Sequence, residues 1–175
     1  MQATRTHWLK AGAKSVGLHG IKLHPDFQKF DIDDPDMISV YRMAAKAGLP
    51  ILFHMGDSRY EYSAPRRLAH VAEAVPELTC LAAHYGGYER WDEAYQYLKL
   101  PNVYFDTSSS LFKLSKTDAI VMMEHMGMER FMFGTDFPMW DHEKELERFL
   151  SLGLSEGDND IVLYQNFEAL HGITV

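Results

Sequence analysis

Lys22-Leu23-His24-Pro25, Phe53-His54-Met55-Gly56, Ala83-His84-Tyr85-Gly86-Gly87 and Gly134-Thr135-Asp136-Phe137-Pro138 are the stretches whose reading decides the fold of this chain. Each follows a short apolar run and each ends in a turn residue. His24, His54 and His84 recur at intervals of about 30 residues, roughly the length of one strand-helix unit. A polar residue placed repeatedly at the carboxyl end of a buried strand is how parallel α/β proteins build an active site. Three imidazoles and a carboxylate at such positions form a ligand set for a divalent metal ion. The pattern therefore points to an enzyme or part of one.

Around these stretches strand and helix signals alternate. Residues 20–24 read as a strand stopped by Pro25. Asp34-Pro35 reads as an N-cap with proline at the first helical position, and the helix runs to Lys46 and closes at Gly48. Strands follow at residues 49–54, 78–84, 102–106 and 130–134. Helices are expected at residues 65–74, 91–99 and 116–125, with two more stretches at 143–152 and 159–171 and a short one at 4–13. Five strands, each followed by a helix, predict a parallel sheet with right-handed crossovers. Alternation alone fits an open sheet as well as a barrel. Convergence of His54, His84 and Asp136 on one ion favours the barrel, whose strand ends all meet at one mouth. Lys22 and His24, two residues apart, share a strand face.

The chain has 175 residues, enough for one domain with its own core, and 46% of them are apolar. A formal net charge of -8 argues against nonspecific binding to nucleic acid or to an anionic membrane. No run approaches the ~18 apolar residues of a membrane span, and residues 1–14 carry no apolar signal core. The expectation is a soluble, cytoplasmic protein acting on a small molecule. The single cysteine, Cys80, lies in an apolar run and reads as a buried, reduced thiol.

The four stretches, with Gly20-Ile21 before the first, resemble the amidohydrolase-related family. This is the branch of the metal-dependent amidohydrolase superfamily that also contains aminocarboxymuconate-semialdehyde-type decarboxylases. The resemblance covers about residues 20–170 and implies a (β/α)8 barrel, of which this chain matches strands four to eight. It is thus expected to be a single α/β domain, residues 1–175, forming a partial barrel of about five βα units. Family members open with a His-x-His motif that supplies two metal ligands. This sequence has none, and a full barrel takes about 250 residues, so the first three βα units are expected to be missing.

The resemblance also implies roles. His54 would bind the metal, zinc by its chemistry. His84 would bind it too, or polarise the substrate, with Gly86-Gly87 allowing close approach of a ligand. Asp136 would bind the metal and take a proton from metal-bound water; the bland alternative is an N-cap. Lys22 is either a carboxylated, metal-bridging lysine or a plain internal lysine paired with an acid. His24 is divided between substrate contact and structure, and Arg59 between a substrate carboxylate and the surface. Asp106 and Ser108 would either line the mouth or bond backbone. His70, His125, His142 and His171 read as surface, and the methionines and phenylalanines of residues 122–133 as core. The implied activity is hydrolysis of an amide, ester or lactone. The alternatives are decarboxylation of an unsaturated acid, or a non-catalytic fragment with little turnover. Unpaired sheet edges predict a homo-oligomer in contact near residues 20–23 or 131–134.

Overall fold

The computed structural model describes residues 17–174. The short helix expected at residues 4–13 lies outside them. The strands are β1 (Ile21–Leu23), β2 (Ile51–Phe53), β3 (Cys80–Ala82), β4 (Val103–Asp106) and β5 (Phe131–Met132). The helices are α1 (Pro25–Gln28), α2 (Pro35–Ala47), α3 (Pro65–Ala74), α4 (Trp91–Tyr97), α5 (Lys116–Met126), α6 (His142–Leu150), α7 (Glu156–Asp160) and α8 (Asn166–His171). A π-helical turn, Ile161–Gln165, joins α7 to α8. A 3-10 turn, Met128–Arg130, leads into β5.

Capping sets most of these boundaries. Asp34 accepts from the Asp36 amide at 2.8 Å, Pro35 takes the first helical position, and Gly48 closes α2 at φ 67°. Ser115 accepts from the Asp118 amide and opens α5. The last helical stretch starts at Glu156, three residues before the expected 159, because Ser155 caps it. The short α1 was not expected. His24 caps it, and its Nδ1 accepts from the Phe27 amide at 3.4 Å.

All five strands are parallel and hydrogen-bonded in chain order, β1-β2-β3-β4-β5. An open doubly wound sheet reverses its strand order. Here the order never reverses, so the sheet is a continuous wall of a barrel. Its two faces differ. Ile51, Phe53, Cys80, Ala82, Val103, Phe105 and Phe131 are fully buried beneath the helices. The alternate positions Lys22, Leu52, Leu81 and Tyr104 stand in register across the inner face and are less covered. The methionines of α5, Met122, Met123 and Met126, lie in the core as expected.

β5 is shorter than the expected 130–134. Arg130 belongs to the 3-10 turn, and the Phe133 amide leaves the sheet to donate to the Val162 carbonyl at 2.8 Å. No helix among the described residues is long and apolar enough to cross a membrane.

Candidate active site

The exits of the strands gather at one end of the sheet. A cleft of about 320 Å³ opens there, and Lys22, His24, His54, Arg59, His84 and Asp136 all contribute to its lining. Strand parity carries Lys22 and His24 inward from β1, and Leu52 and His54 from β2. On β3 the inward parity position belongs to Ala83. His84 reaches the cleft because its own φ is 63°, a left-handed conformation that a side chain rarely adopts. Asp136 shares this feature, with φ 56°.

His84 is 2% exposed and held on every side. Its amide donates to Asp106 Oδ1 at 2.9 Å. Its Nδ1 lies 3.0 Å from Ser108 Oγ and 3.3 Å from the Ser108 carbonyl. Its Nε2 lies 3.0 Å from His54 Nδ1. These partners fix the tautomers. A carbonyl only accepts, so His84 Nδ1 carries a proton. Ser108 Oγ is free to accept it because its own proton goes to Asp106 Oδ1 at 2.6 Å. Burial lowers the pKa of His84 and, with its neighbouring imidazoles, pushes His54 down to about 2, so both rings are neutral. Neutral His84 therefore accepts at Nε2, His54 donates from Nδ1, and His54 Nε2 is left with a bare lone pair.

That lone pair faces Asp26 Oδ2 across 3.9 Å. Asp26 is 4% exposed. Its Oδ2 accepts from Ser63 Oγ at 2.5 Å, while its Oδ1 has no partner among the described residues. Burial raises its pKa, against the Ser63 bond that lowers it. His24 stacks on His54 with ring centroids 3.8 Å apart and planes 11° apart, and Phe27 stacks on its other face. Ligand atoms of His24, Asp26 and His54 lie within 4.8 Å of one another, a set of two imidazoles and a carboxylate suited to a divalent ion. Asp26 was not singled out from sequence, where nothing local marks it among the 25 acidic residues.

The other expected residues fall around this centre. Asp136 is exposed; its Oδ2 accepts from Ser109 Oγ at 2.8 Å, which in turn accepts from Trp140 Nε1 at 2.8 Å. Lys22 is depressed in pKa by the surrounding walls, with Asp106 and Asp136 opposing. Arg59 grips Asp57 with Nε and Nη2 at 2.9 and 2.7 Å, so its fork is already engaged. Asp106 bonds backbone and Ser108, the structural alternative for it. The space beside Gly86 and Gly87 is filled by Leu98, Phe105, Pro65 and Arg90, so this pair admits the chain's own packing and not a ligand. Gly56 does the equivalent at the β2 exit, where a Cβ would stand 2.4 Å from the Tyr88 carbonyl oxygen.

The sequence matches the amidohydrolase family profile over residues 6–173. The chain belongs to the amidohydrolase family. Solved structures share its fold. A TIM-barrel protein of Bordetella bronchiseptica superposes with a TM-score of 0.78 at 22% identity, over 91% of this chain and 59% of that one. A Pseudomonas putida protein provisionally assigned as a 2-pyrone-4,6-dicarboxylic acid hydrolase gives 0.71 at 19% identity, over 100% and 69%. A dihydroxybenzoic acid decarboxylase of Polaromonas, solved with manganese and 2-nitroresorcinol bound, gives 0.75 at 14% identity, over 98% and 66%. This amidohydrolase chain thus spans 59 to 69% of the length of those chains and forms a partial TIM-type barrel. Among proteins of curated function none matches it.

Proposed function

We propose that this cleft is part of the active site of a metal-dependent hydrolase that opens a small ester, amide or lactone. The convergence of all six expected side chains on one cleft carries this reading. The buried, orphaned Asp26 Oδ1 and the His54 lone pair fit a divalent ion, zinc by donor chemistry; of the ligand set His54, Asp136 and His84 implied by the family resemblance, His54 and Asp136 have donor atoms to offer, while His84 spends both ring nitrogens on His54 and Ser108. Bound there, the ion would lower the pKa of water toward ~7 and polarise a carbonyl. The chain's own residues supply the rest. Asp136 Oδ1 is free to take the proton of an attacking water. His84 orients His54 and is the second candidate catalytic group. Lys22 offers a cation to a substrate carboxylate, and Arg59 can add only the donors that Asp57 leaves free. Phe27, Tyr88 and Trp140 also line the cleft and suit a flat, unsaturated substrate.

The same flat walls and cation support a second reading, decarboxylation of an unsaturated acid. The Polaromonas structure is of a decarboxylase on this fold. Turnover of a panel of aromatic lactones, esters and carboxylated phenols, with and without chelator, tests both. Loss of at least about 100-fold in Asp136→Asn and His84→Ala is expected. Full turnover after chelation would sink the metal-dependent reading.

A further inference from the structure

Resting on the reading of this cleft as a metal-dependent active site, we infer that Trp140 and Ser109 are positioning residues: they hold the Asp136 carboxylate by Oδ2 and leave Oδ1 for the reacting atoms. The link has a direction. Trp140 Nε1 lies 2.8 Å from Ser109 Oγ, and Ser109 Oγ lies 2.8 Å from Asp136 Oδ2. An indole N–H only donates. The Ser109 hydroxyl therefore accepts from Trp140 and sends its own proton to Asp136. Without the indole that hydroxyl is a free rotor. Asp136 Oδ1 makes no hydrogen bond among the described residues, and Asp136 lines the cleft. The carboxylate is thus held at one oxygen and open at the other.

The backbone is bent to make this link. Ser109, past the end of β4, has φ 50°, and Asp136, past the end of β5, has φ 56°. Residues other than glycine rarely enter this left-handed region, and they stay there only where surrounding contacts hold them. Here two such residues, 27 apart in the chain, meet side chain to side chain. Ser109 is 6% exposed, so its hydroxyl has little water to turn to.

Trp140 is itself fixed. Phe112 stacks on its ring, with centroids 4.7 Å apart and planes 29° apart. The Arg148 guanidinium lies over the same indole, 5.2 Å from the ring centroid. Arg148 is paired with Glu145, one turn earlier on α6 and fully buried. A line of side chains thus runs from Glu145 through Arg148, Trp140 and Ser109 to Asp136 at the cleft. A tryptophan serving only as a flat wall has no need of an N–H aimed at Ser109.

The test reads the link and its effect separately. In the nitrogen–proton correlation spectrum of the metal-free chain, the Trp140 indole signal is assigned by its loss in Trp140→Phe. It is expected to move upfield in Ser109→Ala. It should also move in Asp136→Ala, although Asp136 makes no hydrogen bond with the indole. In turnover, Ser109→Ala and Trp140→Phe should each lower kcat about tenfold, a fraction of the ~100-fold that a 1 Å misplacement costs. KM should stay within about twofold, and the double variant should fall no further than Ser109→Ala, since both act through one hydroxyl. Trp140→Phe keeps a ring against Phe112, and melting temperatures near the parent's control for folding. An indole signal indifferent to Ser109→Ala or Asp136→Ala, or additive losses in the double variant, would overturn the proposal and leave the metal-dependent reading standing. A parent chain with no metal-dependent turnover would overturn that reading and this role together.

Discussion

The two edges of the sheet are finished differently. At β5 the outward-facing backbone groups are taken up by the chain itself. The Phe133 amide donates to the Val162 carbonyl, and Asn166 Nδ2 donates to the carbonyls of Phe131 and Met128 at 2.7 and 2.9 Å. At β1 the Ile21 amide and the Leu23 carbonyl bond to the β2 side. By the alternation of a parallel ladder, Lys22 turns its own amide and carbonyl away from β2. No strand of the described residues pairs with that side. One edge is thus sealed by local sequence that follows it, and the other is a template for a further strand. The cleft lies between them, and Lys22, which lines it, is also the residue at the open edge.

The centre of the sheet gives the reference for both edges. Cys80 on β3 is fully buried, and burial pushes its thiol from 9.0 to about 12. At pH 8 this difference of three units leaves about 1,000-fold less thiolate than an ordinary cysteine has. Labelling of the native chain by a disulfide reagent should be slower by at least that factor, and fast labelling would show that the sheet opens. The sign for stability follows. Between pH 9 and 12 the unfolded thiol ionises and the folded one does not, so Cys80 makes stability fall as pH rises through that window and leaves it unchanged below.

The sealed edge is tested next. Asn166→Ala strands the Phe131 carbonyl and leaves the Met128 carbonyl only its bond from the Phe131 amide, and a loss of about 1 to 2 kcal/mol in urea unfolding is expected. A loss below about 0.5 kcal/mol would mean that Asn166 does not close β5. The open edge comes third. A second copy pairing at β1 should give a dimer by light scattering at micromolar concentration. Lys22→Pro should weaken it about tenfold, since proline deletes the outward donor and no bond of the β1-β2 ladder. A monomer stable on dilution would show that β1 is not the contact. The smallest effect belongs to the rim of the cleft. Ser109→Ala cuts the link from Trp140 to Asp136, and because Asp136 is exposed the loss should stay within about 1 kcal/mol.

Much of the fold was legible. Asp34-Pro35, Gly48 and the apolar runs placed α2 and β2 within a few residues, because caps and strand hydrophobicity are written locally. The spacing of His24, His54 and His84 announced the cleft for the same reason. Asp26 was not legible. It is one of 25 acidic residues, and only burial against Ser63, 37 residues away, marks it.

Sequence by itself determined the alternation of strands and helices, the amidohydrolase family, and which side chains sit at strand exits. These follow from periodicities and turn chemistry that act over a few residues. Tertiary structure alone decided three things. The unreversed strand order made the sheet a barrel wall. A left-handed turn at His84 placed an imidazole where parity would have put Ala83. A chain of hydrogen bonds donated from His54 to His84, from His84 to Ser108 and from Ser108 to Asp106 then left a His54 lone pair aimed at Asp26. Each depends on backbones brought together from distant parts of the chain, where hydrogen-bond direction and exclusion of water, not local propensity, set the outcome.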